Sequence, residues 1–81
     1  SAIDTHIEEI QCDLLPKTHI GQTIKELNVR KNWGANIVGF KTSAGEYVFN
    51  PTPDTRLLAG SKLFVLGTSK QITDMKNDIT N

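Results

Sequence analysis

One cysteine, Cys12, stands alone in 81 residues, which excludes an internal disulfide framework and suits a reducing compartment. With no histidine or basic run beside it, it reads as a small core residue of a strand rather than a reactive thiol. Neither sign of charge is in excess: nine Lys and Arg balance nine Asp and Glu. No global field therefore draws in nucleic acid or a membrane surface, and any anion binding must be local. No apolar run approaches the ~20 residues that span a bilayer, and no signal-peptide pattern is present, so a membrane system served by this chain would have it as its soluble part. GxGxxG and GxxxxGK[ST] are both missing, and no serine or cysteine nucleophile has a recognisable base and elbow. An enzyme is not expected, and no catalytic residue is assigned.

The chain is long enough for one small domain, which buries a modest share of its surface, so dimerisation would add core economically. Ser1-Ala2 reads as a cloning remnant, leaving a single domain over residues 3–81 of an excised fragment. The other segments are placed around LNVRKNWGANIVGFKTSAGEYVFN, Leu27 to Asn50. Ala35 to Thr42 is rich in β-formers but alternates imperfectly, whereas Glu46 to Asn50 alternates clearly, with Tyr47 and Phe49 on one face and Val48 on the other. Ser43-Ala44-Gly45 closes them into an antiparallel hairpin, its glycine taking positive φ. Just before it, Arg30 to Gly34 reads as a basic, aromatic bend.

Upstream, His6 or Ile7 through Asp13 alternates as a strand with one face in water, and Leu14-Leu15-Pro16-Lys17 leaves it. Thr23-Ile24-Lys25-Glu26 matches a capping box and starts a short helix burying Ile24 and Leu27, with Val29 beyond. Asn28 and Gly34 bracket its end, where Arg30 and Lys31 suit the unpaired carbonyls. Downstream, Pro51 and Pro53 make Asn50 to Thr55 extended or turning. KLFVLG, Lys62 to Gly67, is a continuous apolar run expected to be the most buried strand, covered on both faces. Thr68 or Ser69 with Gln71 caps a last helix with Ile72, Met75 and Ile79 inward, while Asn77 to Asn81 should fray. The predicted order is β-α-β-β-β-α, an α+β fold with a mostly antiparallel sheet and helices packed against it.

Two weaker constellations are discounted. Asp4, His6 and Glu8 share one strand face but lack a fourth ligand, so they read as a solvated strand start and no metal site is expected. His19 reads as an exposed or hydrogen-bonded connector residue. Trp33 beside Arg30 and Lys31 is too small a footprint for single-stranded nucleic acid, and its indole is expected over the helix end or in a dimer contact.

Taken together, IGQTIKELNVR (Ile20 to Arg30), GANIVGFKTSAGEYVFNPTPDTRLLAGSKLFVLGT (Gly34 to Thr68) and the closing QITDMK resemble the C-terminal subdomain of the regulator-of-potassium-conductance family, also called TrkA-C. The likeness covers nearly the whole chain after Ser1-Ala2. It implies a cytosolic regulatory domain of a potassium channel or potassium-uptake system, pairing as a twofold homodimer, in larger assemblies within a gating ring, and acting on a membrane pore or transporter subunit. No nucleic-acid partner and no cofactor within the domain are expected. Some relatives bind cyclic di-AMP between paired subdomains, and the resemblance carries that pocket onto Ile24, Asn28, Val29, Arg30, Lys31, Asn36 and Ile37, with Pro51 or Pro53 at the rim. Two symmetric copies of Arg30 would meet the two equivalent phosphates. Asn28 stands where relatives often carry aspartate, and Ser61 replaces a common acidic residue. The alternatives are a ligand-free dimerisation module and a regulatory domain of another ion or organic-anion transporter.

Overall fold

The computed structural model describes residues 4–80; Ser1, Ala2 and Ile3, with the remnant and domain start assigned to them, and Asn81 lie outside the described residues. Four strands form one antiparallel sheet: β1 (Thr5–Gln11), β2 (Asn36–Lys41), β3 (Tyr47–Phe49) and β4 (Lys62–Thr68), in the order β1-β4-β2-β3. Helices α1 (Ile24–Leu27), α2 (Val29–Trp33) and α3 (Ser69–Thr80) complete the α+β fold.

Alternation decides which side of the sheet is covered. In β4, Leu63, Val65 and Gly67 are buried, whereas Lys62, Phe64, Leu66 and Thr68 on the opposite face are only half-buried. The central strand is thus covered on one face, not on both as KLFVLG suggested. Continuity of apolar residues reported position in the sheet, between β1 and β2, rather than double coverage. The covered face meets Leu27, Val29, Ile72, Met75 and Ile79. Each such side chain, fully buried, stabilises the fold by roughly 1.5–3 kcal/mol.

The imperfect alternation of β2 has a local cause. Ile37 pairs with Val65 and Phe40 with Leu63, both on the core side, and the register shifts between Ile37 and Gly39. That β-bulge at Val38 resets the side-chain phase, so two core residues three apart face the same way. Strand β1 is also shorter than its pattern: Cys12–Leu14 form a 3-10 turn after Gln11. There the Cys12 N–H donates to the Ser61 carbonyl at 2.9 Å and the Leu15 N–H to the Cys12 carbonyl at 3.0 Å. Cys12 is nevertheless buried, and that burial pushes its thiol pKa up.

Both capping boxes form. Thr23 and Glu26 exchange backbone-to-side-chain bonds of 3.0 and 3.1 Å, and Thr68 and Gln71 do so at 2.9 and 3.2 Å. The last helix holds through Thr80 rather than fraying from Asn77, because Ile79 is fully buried in the core.

Candidate functional site

The site grows from a break in a helix. After one turn, Asn28 adopts a left-handed conformation at φ 52°, so the single short helix expected here is two helices meeting at a corner. Asparagine tolerates this conformation better than most residues. The Asn28 N–H still donates to the Ile24 carbonyl at 3.1 Å, and its carbonyl accepts from the Asn32 N–H at 3.0 Å. The Arg30 to Gly34 stretch is accordingly helix α2, not a bend, and Gly34 at φ 77° ends it.

The opposite wall comes from the proline segment. The N–H groups of Ile24 and Lys25, unpaired within so short a helix, donate to the carbonyls of Thr55 and Pro53, each at 2.9 Å. An isolated bridge between Thr23 and Arg56 and a 2.9 Å bond from Arg56 Nη1 to the Gly21 carbonyl hold the same two segments together. The third wall is the start of β2. It is open at its outer edge, because β3 pairs only with Gly39 to Lys41.

Between these walls lies a cleft of about 240 Å3. It brings together Ile24, Asn28, Val29, Arg30, Asn36, Ile37 and Pro53, and it adds Lys25 and Ala35, which sequence reasoning missed. Lys25 lies three residues before Asn28 on the same helical face, a spacing that could have flagged it. Lys31 and Pro51 do not line the cleft. Lys31 is exposed on α2, and Pro51 is half-buried two residues short of the rim.

Charge in the cleft is local and positive. The Arg30 guanidinium, exposed, has no hydrogen-bond or ion-pair partner among the described residues, and neither does the half-buried Asn36 amide. The nearest acid in sequence, Glu26, is committed to the capping box, whose Thr23 N–H and hydroxyl hold its carboxyl below the usual range. Arg30, Asn36 and the apolar edges of Ile24, Val29, Ile37 and Pro53 thus offer anion recognition beside a nonpolar surface.

The other candidates go elsewhere. Trp33 packs against the core and donates its indole N–H to Asp78 at 2.7 Å, tying α2 to α3. His19 Nδ1 lies 3.1 Å from Gln22 Oε1. Asp4 turns to Ser69 and Glu8 to Lys76, and among the described residues no three His, Cys, Asp or Glu side chains form a metal-holding group. Among the described residues no helix is long and apolar enough to cross a membrane.

The helical corner, the strand start and the proline loop thus frame an open cleft on a small antiparallel α+β module. The chain belongs to the TrkA-C domain family, whose model matches residues 15–80. Three similar solved structures share its fold. The potassium transport protein KtrA C domain of the regulator of K+ conductance, in complex with cyclic di-AMP, is 26% identical at a TM-score of 0.81, over 96% of this chain and 87% of that one. The RCK_C domain dimer of S. agalactiae BusR, also with cyclic di-AMP, is 29% identical at 0.74, over 88% of this chain and 91% of that one. The GsuK channel bound to NAD is 26% identical at 0.76, over 94% of this chain but only 14% of the channel chain. BusR has also been seen with its busA promoter DNA, where this chain covers 38% of the BusR chain. No curated protein matches this sequence.

Proposed function

We propose that this domain is a cytoplasmic, ligand-sensing module of a potassium channel or potassium-uptake system, pairing about a twofold axis and binding cyclic di-AMP where two clefts meet. The observation that carries the reading is the unpaired Arg30 guanidinium beside Asn36 in a cleft with apolar walls. Size supports it too. At about 240 Å3 the cleft falls below the ~300–1,000 Å3 typical of small-molecule sites, as a half-site would. A dyad doubles it and presents two guanidiniums to two phosphates. The complexes of KtrA and BusR with cyclic di-AMP supply the chemical identity.

The domain itself performs no chemistry in this account. A ligand spanning two copies moves an attached pore only by binding its open and closed arrangements with different affinity. Thermal melting with cyclic di-AMP, cyclic di-GMP and AMP tests the reading: the first alone should raise the midpoint, and equal effects of all three, or of none, would refute it.

A second reading is favoured by BusR, which has been seen with promoter DNA. Here the same sensing domain would belong to a DNA-binding regulator, so the sequence expectation of no nucleic-acid partner does not extend to a longer protein carrying it. The residues encoded ahead of Ser1 discriminate: a pore with a Rossmann unit favours the channel, a DNA-binding unit the regulator.

A further inference from the structure

The nine Lys and Arg side chains are not equally committed. Lys62, Lys70 and Lys76 pair with Glu9, Asp74 and Glu8, Arg56 donates to the Gly21 carbonyl, and Lys41 Nζ lies 5.0 Å from the centre of the Tyr47 ring. The side chains of Lys17, Lys25, Arg30 and Lys31 have no hydrogen-bond or ion-pair partner among the described residues. Of these, Lys25 and Arg30 line the cleft, and no Asp or Glu does. Each cleft therefore carries two uncompensated positive charges in a chain whose net charge is zero.

On the reading of the cleft as a nucleotide site, we infer that Lys25 is its second phosphate-binding cation, in the place that the family resemblance gave to Lys31. Lys25 stands in α1 and Arg30 in α2, so the two charges come from the two helices that meet at Asn28. The backbone of Lys25 is fixed at the rim by the 2.9 Å bond from its N–H to the Pro53 carbonyl, while its side chain is exposed and free to move. Glu26, the adjacent acid, forms no ion pair with it and instead accepts from the Thr23 N–H and hydroxyl, each at 3.0 Å. Roles divide by shape: the planar Arg30 fork takes two oxygens of one phosphate, and the compact ammonium of Lys25 on its flexible stem adds a point charge beside it. Two clefts about a dyad offer four cations to two phosphates, so Lys25 selects for the anionic group rather than for the base.

The test is calorimetric titration of cyclic di-AMP into the parent chain and into Lys25→Met, Lys25→Arg and Lys31→Met, each at about 50 and 300 mM salt. Methionine keeps an unbranched apolar stem and the backbone N–H that bonds Pro53 but drops the charge, and an unchanged thermal midpoint of the ligand-free variant confirms that the wall is intact. Lys25→Met should bind about fivefold or more weakly at the lower salt, with a smaller deficit at the higher, because exposed charge contacts are screened. Lys25→Gln, equally uncharged, should match it. Lys25→Arg, which keeps the charge, and Lys31→Met, which removes an equally free cation outside the cleft, should both stay within about twofold of the parent. If Lys25→Met overlays the parent, the stem and not the charge is the contact; if Lys31→Met loses as much, the effect is a general field. Either result overturns the role of Lys25 and leaves the nucleotide site standing, whereas a folded parent that binds no cyclic di-AMP overturns both.

Discussion

The backbone N–H of Lys25 donates to the Pro53 carbonyl across 2.9 Å, so the first turn of α1 and the proline segment form two walls of one rigid cleft. Neither residue type announces this contact. It exists because a four-residue helix leaves its first N–H groups without internal partners.

The cap that starts this turn should therefore matter beyond its own two bonds. Thr23→Ala removes the acceptor for the Glu26 N–H and should cost about 1 kcal/mol, read as a lower urea midpoint with an unchanged slope. Thr23→Ser should restore most of it.

Gly34 is constrained twice. Its φ of 77° is unfavourable for any residue with a Cβ, and a Cβ there would lie 2.9 Å from Nε2 of Gln71, the residue that caps α3. Gly34→Ala should destabilise by about 1–2 kcal/mol from the backbone alone, with a further loss as Gln71 is displaced. A thermal melt of the variant beside Gln71→Ala, in which the crowding is absent, separates the two contributions.

Stability should fall on both sides of neutrality, for opposite reasons. Glu8 and Glu26 have pKa values lowered from 4.5, Glu8 chiefly by the Lys76 hydrogen bond and Glu26 chiefly by the Thr23 N–H. Their contribution is present above pH 4.5 and is lost as pH falls through the lower folded values. His6 has a pKa raised from 6.5, first by its bond to the Asp4 carbonyl and then by Glu8. Its contribution is full below 6.5 and is lost as pH rises through the higher folded value. Denaturation midpoints of His6→Gln should lack the decline above neutrality and keep the acid one.

Much of this fold was legible because local rules agreed with the packing. Thr23 with Glu26 and Thr68 with Gln71 marked both helix starts, and the alternation of Tyr47, Val48 and Phe49 gave β3. What was not legible depended on partners distant in sequence. The β-bulge at Val38 is defined by register against β4, which the irregular pattern of β2 hinted at without locating. The helix break at Asn28 requires a φ that asparagine permits but does not announce. Trp33 was expected over the helix end or in a dimer contact, but its partner Asp78 lies on α3, 45 residues away, which no local pattern could name. Helix α3 extends through Thr80 because the fully buried Ile79 outweighs the tendency of a terminus to loosen. Of the residues the family resemblance proposed for a site, Ile24, Asn28, Val29, Arg30, Asn36, Ile37 and Pro53 line one cleft, while Lys31, at the next helical position, and Pro51 do not.

Isothermal titration of cyclic di-AMP into the wild-type chain and into Arg30→Ala tests the central claim most directly. The account predicts saturable heat at one ligand per two chains, with affinity at least about tenfold weaker in the variant, since each ligand loses two charge-assisted contacts. A folded wild-type chain that gives no heat, or an Arg30→Ala titration that overlays the wild type, would contradict it.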